Sequence, residues 1–89
     1  MVAVKSLVLG VLKPHVPDPL EFSKALAAQG GCRVRLTVVE MDEKTETLQI
    51  MIEGEDLDFA RIQATIAELG ASLHSIDEVE VVGEPEPAA

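Results

Sequence analysis

The stretch RVRLTVVEMDEKTETLQIMIEG, residues 33–54, decides the fold. Val34, Leu36 and Val38 alternate with Arg33, Arg35 and Thr37, the period of two expected of a strand with one buried face. Asp42-Glu43-Lys44-Thr45-Glu46 reads as a polar turn. Leu48, Ile50 and Ile52 then alternate with Thr47, Gln49, Met51 and Glu53, and Gly54 closes the segment. Two alternating runs around a short polar turn predict an antiparallel hairpin whose apolar face needs a covering layer.

Working outward, Gly30-Gly31 precedes the hairpin and marks the end of a helix, because glycine accepts the left-handed conformation found there. That helix begins at Asp18-Pro19-Leu20-Glu21. Asp18 serves as cap, Pro19 as first helical residue and Glu21 as the reciprocal acid. Leu20, Phe22, Ala25 and Leu26 give it an apolar stripe that runs to about Gln29. Residues 2–13 are rich in Val and Leu and stop at Pro14, which predicts a strand buried on both faces or nearly so. Downstream, Asp56 or Asp58 caps a second helix with Phe59, Ile62, Ile66 and Leu69 at helical spacing, and Gly70 ends it. Residues 72–82 form a last strand, with Leu73, Ile76, Val79, Val81 and Val82.

The order is therefore β-α-β-β-α-β. It predicts an α+β ferredoxin-like sandwich: one antiparallel sheet in the order 4-1-3-2, with both helices on one face. Residues 1–83 make a single domain, and the acidic, proline-containing end at 84–89 has the composition of a disordered tail.

Composition narrows the function. Seven Lys and Arg face sixteen Asp and Glu, for a net charge of −9. Phosphate backbones need clustered cations, and single strands need aromatic platforms. With two Phe and neither Trp nor Tyr, this chain is expected to bind no nucleic acid. Anionic membranes are disfavoured for the same electrostatic reason, whereas cationic partners, including metal ions, are the permitted class. The plainer reading of the charge is solubility. Hydrophobic residues are 47% of the chain, nearly all aliphatic, on a domain too small to bury a large core. That surplus predicts self-association, against the plainer alternative of a well-filled core. Cys32 has no partner for a disulfide. The start MVAVKSLVLGVL lacks a cleavage signal and is too short for a span, which predicts a cytoplasmic protein.

The expected strand order brings the end of the first strand, the hairpin turn and the start of the last strand to one edge. Lys13 and His15 are thus expected close to His74, Ser75, Asp77 and Glu78, with Asp42, Glu43 and Glu46 farther along and Cys32 on the opposite edge. Two histidines with nearby carboxylates suit a divalent metal. Imidazole favours zinc, nickel or iron, and carboxylates alone favour calcium or magnesium. The alternative is that each histidine ends a strand and bonds locally. No nucleophile–histidine arrangement or phosphate loop is visible.

The blocks VLGVLKPH (8–15), DLDF (56–59) and HSIDEV (74–79) closely resemble those of domain-of-unknown-function family 211, small and mainly archaeal proteins without an established activity. The resemblance runs from about residue 4 to residue 83. It implies a ferredoxin-like fold, assembly into rings, and a divalent cation, calcium or a transition metal, for which His15, His74, Asp77 and Glu78 are the matching candidates. Gly10 and Val16 depart from the family pattern, which has Asp and Glu there, so two oxygen ligands are lost near that edge. The resulting expectation is a non-enzymatic, ring-forming module in a regulatory or ligand- and ion-sensing role, with a small ligand or ion at a subunit interface. The rival is a metal-dependent enzyme or a structural subunit.

Overall fold

A computed structural model describes residues 1–83, and the expected tail at 84–89 lies outside the described residues. Six elements follow in the expected order: β1 (Val2–Pro14), α1 (Pro19–Ala27), β2 (Cys32–Met41), β3 (Thr45–Gly54), α2 (Phe59–Glu68) and β4 (Ser72–Gly83). All pairs are antiparallel and the sheet order is β2-β3-β1-β4, the ferredoxin-like arrangement read from the other end.

Each helix starts where the sequence supplies a cap. The Asp18 carboxylate accepts from the Glu21 backbone N–H at 2.8 Å, and Asp58 does the same for Arg61 at 3.1 Å. Asp58 rather than Asp56 is thus the second cap. Helix α1 ends two residues earlier than its apolar pattern suggests, and the chain then turns through Gly30 and Gly31 at φ of 82° and 69°. The segment before α2 is tied to the first strand by a hydrogen bond from Leu57 N–H to the Val4 carbonyl at 2.9 Å.

The register sorts the sheet into two faces. On the helix side, rows across the four strands are wholly aliphatic: Val34-Ile52-Leu7-Val79, Leu36-Ile50-Leu9-Ile76 and Val38-Leu48-Val11-Leu73. Phe22, Leu26, Ile62 and Ile66 close over the middle of these rows and complete the core. On the other side the rows are Arg33-Glu53-Ser6-Glu80, Arg35-Met51-Val8-Glu78 and Thr37-Gln49-Gly10-Ser75. Central β1 is buried on both faces at Leu7, Val8 and Leu9, as its unbroken apolar run predicts.

The helix layer does not reach the whole sheet. Helix α2 has ten residues and β4 twelve, so about 15 Å of helix lies against about 40 Å of strand. Leu73, at the start of β4, packs against the core. Ile76, Val79 and Val81 belong to the same face yet remain 49%, 52% and 49% exposed.

The β1–β4 ladder slips three times. Lys5 is the extra residue on β1, and His74 and Asp77 are the extra residues on β4. Such bulges re-aim a side chain and bend an edge strand.

Candidate functional site

The inward positions of β1 run Leu7, Leu9, Val11, Lys13, and those of β3 run Ile52, Ile50, Leu48, Glu46. Lys13 and Glu46 face each other in the ladder. Two charges therefore occupy the last core position on neighbouring strands. Lys13 is wholly buried and Glu46 is 3% exposed. The ammonium Nζ lies 2.9 Å from Glu46 Oε1. It also donates to the Pro14 carbonyl at 2.7 Å and to the Pro17 carbonyl. Glu46 Oε1 accepts no well-aligned hydrogen bond among the described residues, so its compensation is the charge of Lys13.

His15 completes the line. Its Nδ1 lies 3.0 Å from Glu46 Oε2, and its Nε2 lies 3.0 Å and 3.1 Å from the carbonyl oxygens of Asp42 and Glu43. Both ring nitrogens thus face acceptors, and only the doubly protonated ring donates on both sides. The hydrogen bond to Glu46 is the main reason that His15 holds its proton above the ordinary 6.5, with the two turn carbonyls reinforcing it. The neighbouring Lys13, then His15, hold the Glu46 carboxyl below its ordinary range. Asp42 is lowered as well, chiefly by the backbone N–H groups of Thr45 and Lys44, which its side chain accepts at 2.8 and 2.9 Å.

This Lys13–Glu46–His15 line joins the end of β1, the following loop and the β2–β3 turn. It is a clamp. Lys13 is inaccessible, and both nitrogens of His15 are already engaged, so neither group is free for acid–base or nucleophilic work in this arrangement.

The sequence groups His15 with His74, Asp77 and Glu78, and the structure places them differently. His15 turns toward the hairpin turn and so joins Asp42, Glu43 and Glu46, the acids expected farther along. Glu78 stands opposite Val8 and Asp77 is the bulge beside it, six strand positions and about 20 Å from Pro14. His74 is the other bulge, on the far side of β1 from β3. His74, Asp77 and Glu78 are all exposed on edge strand β4. The Asp77 carboxylate lies over Gly10, 3.5 Å from where a β-carbon would stand. Among the described residues, no three His, Cys, Asp or Glu side chains converge as a metal site. The four candidates thus do not fit a metal site within one chain, and the three on β4 would need ligands from elsewhere. Cys32 is at the opposite end, where expected, beside an open groove of about 290 Å³.

The buried Lys13–Glu46 pair was the feature not singled out from the sequence. Its signal is the in-phase position of both residues with the aliphatic runs Leu7-Leu9-Val11 and Leu48-Ile50-Ile52, although Glu46 reads locally as turn.

An antiparallel βαββαβ sandwich with a charged clamp at one end and an open apolar strand at its edge places the chain among small ferredoxin-like α+β domains. The chain belongs to domain-of-unknown-function family 211, described as "Uncharacterized ArCR", whose family model matches residues 5–85. It is also similar to an uncharacterised protein of Methanocaldococcus jannaschii, with 41% identity over 80 residues, covering 89% of this chain and 82% of that one. Neither finding assigns an activity. No described helix is long and apolar enough to cross a membrane.

Proposed function

We propose that this domain is a non-enzymatic, cytoplasmic module that works as a ring of identical copies, in a regulatory or ligand- and ion-sensing role. The observation that carries the reading is the uncovered aliphatic strip Ile76, Val79 and Val81 on edge strand β4. An edge strand with open backbone groups and a half-exposed apolar face invites a further strand. The sheet has two different edges, β2 and β4. Joining unlike edges is a heterologous contact, and such contacts close into rings when the rotation allows.

A ring also gives the exposed β4 polar residues a use. His74 and Asp77 then lie at the junction, where a second copy supplies what one chain lacks for a divalent cation or a small polar ligand, while Glu78 faces the neighbouring strand. The clamp keeps His15 out of that set.

Light scattering across micromolar concentrations tests the assembly, and a mass of one monomer throughout defeats it. A thermal melt with and without millimolar calcium, zinc or nickel tests the ion. The expected rise in Tm for one of them is lost in His74→Ala and Asp77→Asn, and no shift for any ion removes the ion-sensing role.

A further inference from the structure

We infer that copies of this chain join by pairing β4 of one with β2 of the next, in one register set by an arginine–glutamate ladder on the outer sheet face. The inference rests on the self-association reading and specifies the surface that produces it.

The first observation is strand direction. In the order β2-β3-β1-β4 with every pair antiparallel, β2 and β4 run in opposite directions. A neighbour related by rotation about an axis along the strands keeps its direction, so its β2 meets this β4 antiparallel. The sheet then continues with the hydrogen-bond pattern that it has inside one chain.

The second observation is charge. Two outer rows begin with arginine on β2 and end with glutamate on β4: Arg33 to Glu80, and Arg35 to Glu78. All four side chains are exposed, and among the described residues neither arginine has a carboxylate within ion-pair distance. Extending the rows across the junction sets Glu80 against Arg33 of the next copy and Glu78 against Arg35 of the next copy. Opposite charges directly across two strands are favourable, and like charges there are not.

The third observation is that the same register satisfies the other face. With Glu80 opposite Arg33 and Glu78 opposite Arg35, Val79 falls opposite Val34 of the next copy. After the Asp77 bulge, Ile76 meets Leu36. The strip left open by α2 is then covered by the aliphatic face of β2 and the α1 that packs on it. A one-residue slip would set charges against the strip. A two-residue slip that sets Glu80 against Arg35 puts Glu78 against Thr37, leaving one charge pair of the two.

The test is a pair of charge reversals and their combination, all on exposed positions. Arg33→Glu with Arg35→Glu is one variant, Glu78→Arg with Glu80→Arg the second, and all four substitutions the third. Circular dichroism checks that each is folded, and light scattering over a concentration series gives the assembly constant. Each double variant should assemble at least about tenfold more weakly than wild type, while the quadruple variant should return to within about threefold. Salt should weaken the wild-type assembly, since rim charges are screened. If wild type assembles and folded double variants match it, or the folded quadruple variant does not recover, the ladder is overturned and self-association stands. A monomeric wild type overturns both.

Discussion

Lys13 and Glu46 sit where a bundle of aliphatic residues would otherwise continue, and the consequence can be measured. Replacing Lys13 by Met leaves the Glu46 carboxylate buried beside His15 alone. Breaking one side of such a pair costs about 3–5 kcal/mol, so urea unfolding of Lys13→Met should show a loss near 3 kcal/mol. The double variant Lys13→Met with Glu46→Leu should recover most of it, since nothing charged is then stranded. The clamp also sets a pH dependence. Glu46 and Asp42 are lowered from 4.5 and 3.8, so their contribution is present above those values and is lost as pH falls through the folded ones. His15 is raised from 6.5, so its contribution is complete below that value and is lost as pH rises through the folded one. Stability measured by urea unfolding should therefore decline on both flanks. In His15→Ala the alkaline decline should vanish and the acid decline remain.

At the scale of elements, the close approach of β3 to the segments around it depends on a missing side chain. A β-carbon on Gly54 would stand 2.6 Å from the Gly31 carbonyl oxygen and 2.8 Å from Leu57 Cδ2. The first of these is backbone and cannot rotate away. Gly54→Ala should therefore cost about 1–3 kcal/mol, visible as a fall in Tm of roughly 4–8 °C per kcal/mol for a domain of this size. The elements themselves were legible from local chemistry. Asp18-Pro19 and one of Asp56 and Asp58 start the helices, Gly30-Gly31 and Gly70 follow their ends, and alternation from Val34 to Ile52 gives the hairpin. The bulges at His74 and Asp77 were not legible, because they exist only against the register of β1. For the same reason His15 reads as a neighbour of His74, although its ring is drawn to Glu46 on the other side of β1.

For the whole molecule, the decisive mismatch is between short helices and long strands. It leaves Ile76, Val79 and Val81 half in water on the same face that elsewhere forms the core. A charge placed there should disturb assembly and spare the monomer, since the position loses little packing within one chain. Val79→Lys should remain folded by circular dichroism yet lose higher-mass species in light scattering. Wild-type Tm should rise with protein concentration, and that of Val79→Lys should stay level.

The sequence by itself determined the element order, because caps, glycines and alternation act locally; that order implied the ferredoxin-like topology, and the blocks at 8–15, 56–59 and 74–79 implied the family. It also carried the aliphatic surplus that suggests a second copy. Only the tertiary structure decided where the surplus lies and which charged groups meet. Those outcomes depend on register, on helix length against strand length, and on which side of β1 a loop residue turns. The buried Lys13–Glu46–His15 line and the two arginine–glutamate rows are products of that register.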